Sequence, residues 1–135
     1  MIKVLIQADS RYPVNRKFLR ALVNDFLIKE GFVSAVTVSV AIVGKRKMAQ
    51  LHNDYMQLKG PTDVLSFPYT DPISNPKMRG KRFIEPLEEG VTLGDIVVCF
   101  PFVMAQAKVK NCLVDEEMKF LVEHGLAHLM GRHHE

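Results

Sequence analysis

Four of the five histidines lie in the last twelve residues, His124-Gly125-Leu126-Ala127-His128-Leu129-Met130-Gly131-Arg132-His133-His134-Glu135. Positions four apart on an α-helix are separated by about 40° around the axis and ~6 Å along it, so His124 and His128 project from one face toward a common point. Two imidazoles aimed at one point form a chelating pair for a divalent metal. A third donor has to come from chain that turns back after the helix, and Gly131 can adopt the left-handed conformation such a turn requires. His133 and His134 are both placed to follow it.

The spacing His-x3-His-x5-His, with glycine three residues after the second histidine, is that of the metzincin zinc site and selects His124, His128 and His134. Three neutral imidazoles with an open fourth position describe a catalytic zinc more than a structural one. Such a metal supplies a water that ionises near neutral pH and polarises a phosphoryl or carbonyl oxygen. Zinc peptidases of the HExxH type carry a glutamate general base directly after the first histidine. Here that position is Gly125, which argues against a peptidase and leaves the base elsewhere.

The chain has 135 residues, 47% hydrophobic and 24% charged, the composition expected of one globular domain over residues 1–135. No apolar run approaches the ~20 residues of a membrane span, and Met1 leads into a short strand pattern with no signal core, so a soluble, unexported protein is expected. Cys99 and Cys112 are too few for a disulfide framework and match no CxxC motif, which suits a reducing cytoplasm. The formal charge of +3 permits an anionic partner without requiring one.

The elements that must position the histidines follow from periodicity. Residues 2–8 read as a strand. From Pro13 to Glu30, Phe18, Leu19, Leu22, Val23, Phe26 and Leu27 recur at helical steps and Gly31 follows the end. Residues 33–43 alternate with Val36, Val38, Val40 and Ile42 on one core face. A helix over Lys45–Met56 turns Met48, Leu51 and Tyr55 inward and stops before Gly60-Pro61. Strands are predicted at 64–69 and 93–100, the second apolar enough for burial on both faces. Residues 70–90 read as a long loop with the cations Lys77, Arg79, Lys81 and Arg82. A helix runs from Pro101 to about Asn111, and Asp115 caps, or stands in the first turn of, a final helix through Leu129.

Three separated motifs resemble the YbeY family of endoribonucleases, bacterial ribosomal RNA maturation factors. The stretch from His124 to His134 is similar to its His-Gly-x-Leu-His-Leu-x-Gly-x-Asp-His signature. Pro61-Thr62-Asp63-Val64-Leu65-Ser66-Phe67-Pro68 and Leu93-Gly94-Asp95-Ile96 match its two other motifs in full. The resemblance covers nearly the whole chain. It implies an α/β (α+β) fold with a small mixed sheet packed with helices and a zincin-like metal helix at the C-terminus. It also implies one Zn2+ per chain on three histidines and hydrolytic cleavage of single-stranded RNA. The implied setting is small-subunit ribosomal RNA maturation and ribosome quality control, with ribosomal RNA and the small subunit as partners. No membrane and no small-molecule cofactor belong to it.

Within that frame Lys45, Arg46, Lys47 and the run Lys77 to Arg82 are candidates to seat the RNA backbone, which makes binding fall with salt. Asp63 either orients a ligand imidazole through its second nitrogen or caps a turn, with Ser66 bonding a neighbouring strand; Asp95 carries the same two readings. The chain departs from the family at Met56, where a basic Arg is usual, at His52 in place of asparagine, and at His133 in place of aspartate. An imidazole at His52 restores positive potential near the cleft; His133 competes as a ligand; and the third ligand stands almost at a free terminus, one residue before Glu135. These departures make a ribosome-associated binding factor with little catalytic power the alternative to a nuclease.

Overall fold

The computed structural model describes residues 2–32, 35–56, 62–69 and 91–131, together with the backbone bounds of the elements below. In chain order they are β1 (Ile2–Ala8), α1 (Arg16–Lys29), β2 (Val36–Val43), α2 (Lys45–Met56), β3 (Val64–Pro68), β4 (Val91–Cys99), α3 (Phe100–Lys110) and α4 (Val114–Leu129). The long loop at 70–90, with Lys77, Arg79, Lys81 and Arg82, lies outside the described residues, as do His133 and His134.

The four strands form one mixed sheet in the order β1-β2-β4-β3. β1 pairs with β2 in parallel, β2 with β4 in parallel, and β4 with β3 antiparallel. Helices cover both faces. On one, α1 and α4 bury Leu19, Val23, Leu27, Met118, Val122 and Leu126 against Val38, Val40, Ile42, Ile96 and Val98. On the other, Met48 and Leu51 of α2 pack on Ala41, Leu65, Phe67, Val97 and Cys99. The helical stripes read from the sequence are the ones that face the sheet.

Local chemistry explains where the elements differ from the periodicity. α1 begins at Arg16, three residues after Pro13, because the Asn15 side chain accepts from the Phe18 N–H at 3.0 Å and caps it. Asp115 is not the cap of α4 but a first-turn acid. Leu113 stands at the cap with no side-chain acceptor, and its own N–H donates to Glu116 Oε1 at 2.8 Å. The second face of β2 is buried too, with Thr37, Ser39 and Ala41 under 10% exposed, because β2 is an interior strand and its other face also lies inside the protein.

Candidate metal and RNA site on helix α4

Helix α4 is built to be pressed on the sheet and to stop sharply. Asp115, Glu116 and Glu117 in its first turn complement the helix dipole. At the other end Gly131 has φ +79° and its N–H donates to the His128 carbonyl at 3.0 Å, the left-handed reversal that its sequence position suggests. Met118, Leu121, Val122, Gly125, Leu126 and Leu129 are buried.

Gly125 lies tight against the sheet. A Cβ there would lie 2.9 Å from Ile96 Cγ2 and 3.1 Å from Ser66 Oγ. The Ser66 hydroxyl donates to the Gly125 carbonyl at 3.2 Å, so this serine bonds the helix and not a neighbouring strand. One turn later Leu129 meets Gly94, where a Cβ would lie 2.3 Å from the Phe67 carbonyl oxygen and 2.8 Å from Leu129 Cδ2. Gly94 follows a register irregularity in the β2–β4 pairing, at Thr37/Val38. Two glycines thus let α4 settle over β3 and β4.

On the helix seated in this way His124 and His128 stand together. Their Nε2 atoms are 3.2 Å apart and the rings tilt by 53° with centroids 4.7 Å apart. Two nitrogens each at 2.0–2.1 Å from a tetrahedral zinc lie about 3.3–3.4 Å apart, so the donor pair fits that ion. Among the described residues no group of three His, Cys, Asp or Glu side chains gathers around a common point.

The other sequence candidates lie elsewhere. Asp63 precedes β3, about 10 Å of extended chain before the Ser66 contact; its carboxylate accepts from Gln106 Nε2 of α3 at 3.3 Å and its carbonyl from the Cys99 N–H at 2.9 Å. Burial pushes the neighbouring Cys99 thiol above its usual pKa. Lys45, Arg46 and Lys47 are exposed in the first turn of α2. There they rim a cavity of about 530 Å³ with Arg11, Tyr12 and Gly44, at the carboxyl ends of β1 and β2. His128 and Leu129 stand instead toward the amino end of β4, on the opposite face of the sheet. Arg11 holds Asp9 by two side-chain bonds of 3.0 and 2.6 Å, which lowers the Asp9 carboxyl from 3.8 to about 2. His52 is half-buried on α2.

A family model described as Endoribonuclease YbeY matches residues 6–135. The chain belongs to the YbeY family. An Endoribonuclease YbeY of Dehalococcoides mccartyi is 29% identical over 135 residues, 99% of this chain and 84% of that protein. One of Mycobacterium leprae is 32% identical over 136 residues, 98% of this chain and 72% of that protein. The solution structure of TM1509 from Thermotoga maritima superposes with a TM-score of 0.58 at 27% identity, covering 100% of this chain and 75% of that one.

In this YbeY-family chain Asp95 of the third motif is fully buried on β4 and accepts from Ser39 Oγ and Tyr69 Oη, each at 2.5 Å. Its neighbour Ile96 faces Gly125 of α4, so alternation along the strand turns Asp95 to the α2 side, away from the histidine pair. Through Ser39 it joins β2 and β4. Sequence reading missed Phe120, which stands beside His124, and Lys110 and Glu117, which stand beyond it. Phe120, one turn before His124, is 56% exposed with its ring 6.5 Å from the imidazole at an interplanar angle of 28°. Lys110 Nζ lies 4.2 Å from the Phe120 ring centroid and 2.8 Å from Oε1 of Glu117, which is 1% exposed. The step of four from Phe120 to His124 to His128 was available as a signal; the cross-helix lysine was not.

No described helix is long and apolar enough to cross a membrane.

Proposed function

We propose that this chain is a cytoplasmic, zinc-dependent endoribonuclease that cuts single-stranded RNA in the maturation of small-subunit ribosomal RNA and in ribosome quality control. One domain carries the activity, and ribosomal RNA and the small subunit are its partners. The observation that carries the reading is the convergence of His124 and His128 Nε2 at 3.2 Å in a chain of the YbeY family.

His124 and His128 would hold the ion as neutral imidazoles, with His134 as the third donor. Zinc bound there supplies Lewis acidity at a phosphoryl oxygen and lowers the pKa of a water toward neutrality. Gly125 has no side chain to take a proton, and the packing of α4 on Ile96 and Ser66 leaves no room for one. Asp63 acts as a positioning residue. By tying the start of β3 to Gln106 and to the Cys99 N–H, it fixes the strand whose Ser66 seats α4. Lys45, Arg46 and Lys47, with Lys77, Arg79, Lys81 and Arg82, supply positive charge for backbone phosphates, and His52 is a further candidate contact to the RNA.

The test is zinc content together with cleavage of a single-stranded fragment of small-subunit ribosomal RNA, comparing the native chain with His128→Ala. One zinc per chain and cleavage, both lost in the variant, are expected. Metal with salt-dependent RNA binding but no cleavage would identify the binding factor that Met56 and His133 suggest. Peptide hydrolysis by the zinc-loaded chain would overturn both.

A further inference from the structure

The flank of α4 that carries the histidines begins one turn earlier with a residue that does not belong to the core. Met118, Leu121, Val122, Leu126 and Leu129 are all buried, whereas Phe120 is 56% exposed. It follows the same step of four as His124 and His128, and its ring is within 28° of parallel to the His124 imidazole. An exposed aromatic plane beside a candidate hydrolytic centre is the surface on which unpaired bases stack.

A second observation stands at the same place. Glu117, one turn of α4 before Leu121, is 1% exposed; one oxygen is bonded to Lys110 Nζ at 2.8 Å and the other, Oε2, has no hydrogen-bond partner. A buried carboxylate is costly, and an apolar side chain of similar volume fills such a site as well or better. What the carboxylate does that a leucine would not is hold an amine in place. The Lys110 side chain is 47% exposed, and its Nζ is fixed 4.2 Å from the Phe120 ring. An ammonium has three N–H donors. One goes to Glu117, which leaves two for an anion.

We propose that Phe120, Lys110 and Glu117 form a nucleotide subsite beside the histidine pair: one base of single-stranded RNA stacks on Phe120, and an adjoining phosphate bonds the amine that Glu117 holds. This rests on the endoribonuclease reading and adds to it where the strand is gripped. Stacking is tolerant of base identity, so the subsite favours unpaired over paired RNA and not one base over another.

The experiment uses zinc-loaded full-length protein and a set of identical single-stranded RNAs in which 2-aminopurine, or an abasic residue, is walked through the sequence. The native chain is expected to quench 2-aminopurine at one position. Phe120→Ala abolishes that quenching and weakens binding by about 5- to 150-fold. The same substitution costs nothing further on RNA that is abasic at that position, whereas Phe120→Tyr retains both effects. Lys110→Met reduces the slope of log affinity against log salt by about 0.7, the value for one phosphate on a single strand, and Lys110→Arg restores it. Zinc content stays at the native value throughout, and circular dichroism confirms the fold, with Lys110→Met/Glu117→Leu used if the buried carboxylate unfolds the single variant. If Phe120→Ala binds intact RNA as tightly as the native chain does, or is penalised equally on intact and abasic RNA, the subsite is refuted while native cleavage leaves the endoribonuclease reading standing. A native chain that neither binds nor cuts RNA refutes both.

Discussion

Restoring a peptidase-type glutamate after the first histidine is the sharpest test of why position 125 is glycine. Alanine sets the scale. Gly→Ala inside a helix gains about 1 kcal/mol from backbone entropy. Against this, the new Cβ would lie 2.9 and 3.3 Å from two carbons of Ile96, which is fully buried on an interior strand, and 3.1 Å from Ser66 Oγ. Forcing a methyl into such a contact costs about 1–3 kcal/mol, and loss of the Ser66 bond to the Gly125 carbonyl costs about 1 kcal/mol more. Gly125→Ala is therefore expected to be about 1–3 kcal/mol less stable than the native chain. Gly125→Glu adds the burial of an unpaired carboxylate at several kcal/mol, which reaches the whole stability of a domain, about 5–15 kcal/mol. Urea denaturation followed by circular dichroism measures both. The glutamate variant should be largely unfolded in water and should lose zinc and RNA cleavage together, gaining no peptidase activity. If Gly125→Ala showed the full helix-propensity gain, or Gly125→Glu folded with a native midpoint, the packing account of this glycine would be wrong.

Two further outcomes follow from the same geometry. Gly94→Ala should be more damaging than Gly125→Ala, by about 3 kcal/mol or more in urea titration, because its Cβ meets backbone, the Phe67 carbonyl oxygen at 2.3 Å and Pro68 Cα at 3.0 Å, which cannot rotate away; an equal or smaller loss would contradict this. Asp9 should titrate at about 2 in the folded chain and return to near 3.8 in Arg11→Ala, read from its carboxyl carbon shift. Because the folded value is the lower one, this pair stabilises the fold above pH 3.8, and the contribution is lost as pH falls toward about 2.

The helical elements were legible because their stripes are strong and local. Met48 and Leu51 of α2, and Leu19, Leu22, Val23 and Leu27 of α1, are buried where spacing alone places them inward. The histidine pair was legible for the same reason, since residues four apart on a helix meet whatever surrounds them. Contacts that depend on strand order were not. Thr37 and Ser39 look like the solvent side of β2 until β4 is known to lie beside it with Asp95 bonded to Ser39. Gly125 reads as a missing base until α4 is seated on Ile96, and Lys110 reads as a solvated charge until α3 and α4 are paired. In each case the partner lies far away in sequence or across a turn whose geometry periodicity does not encode.

The strand order also bears on how the protein is made. β1, α1 and β2 are contiguous in sequence and can assemble early, but the inner partner of β2 is β4, residues 91–99, separated from it by almost fifty residues that include α2 and β3. Until β4 leaves the ribosome, the Val-rich β2 presents unpaired N–H and C=O groups along one side, the template on which chains join one another. Because α4 rests on β3 and β4, the helix that carries the histidines cannot dock before that gap closes. A nascent chain is therefore at its most aggregation-prone, and still without its metal-binding pair, through the synthesis of its middle third, and slowing elongation there should lower soluble yield more than slowing it after residue 99.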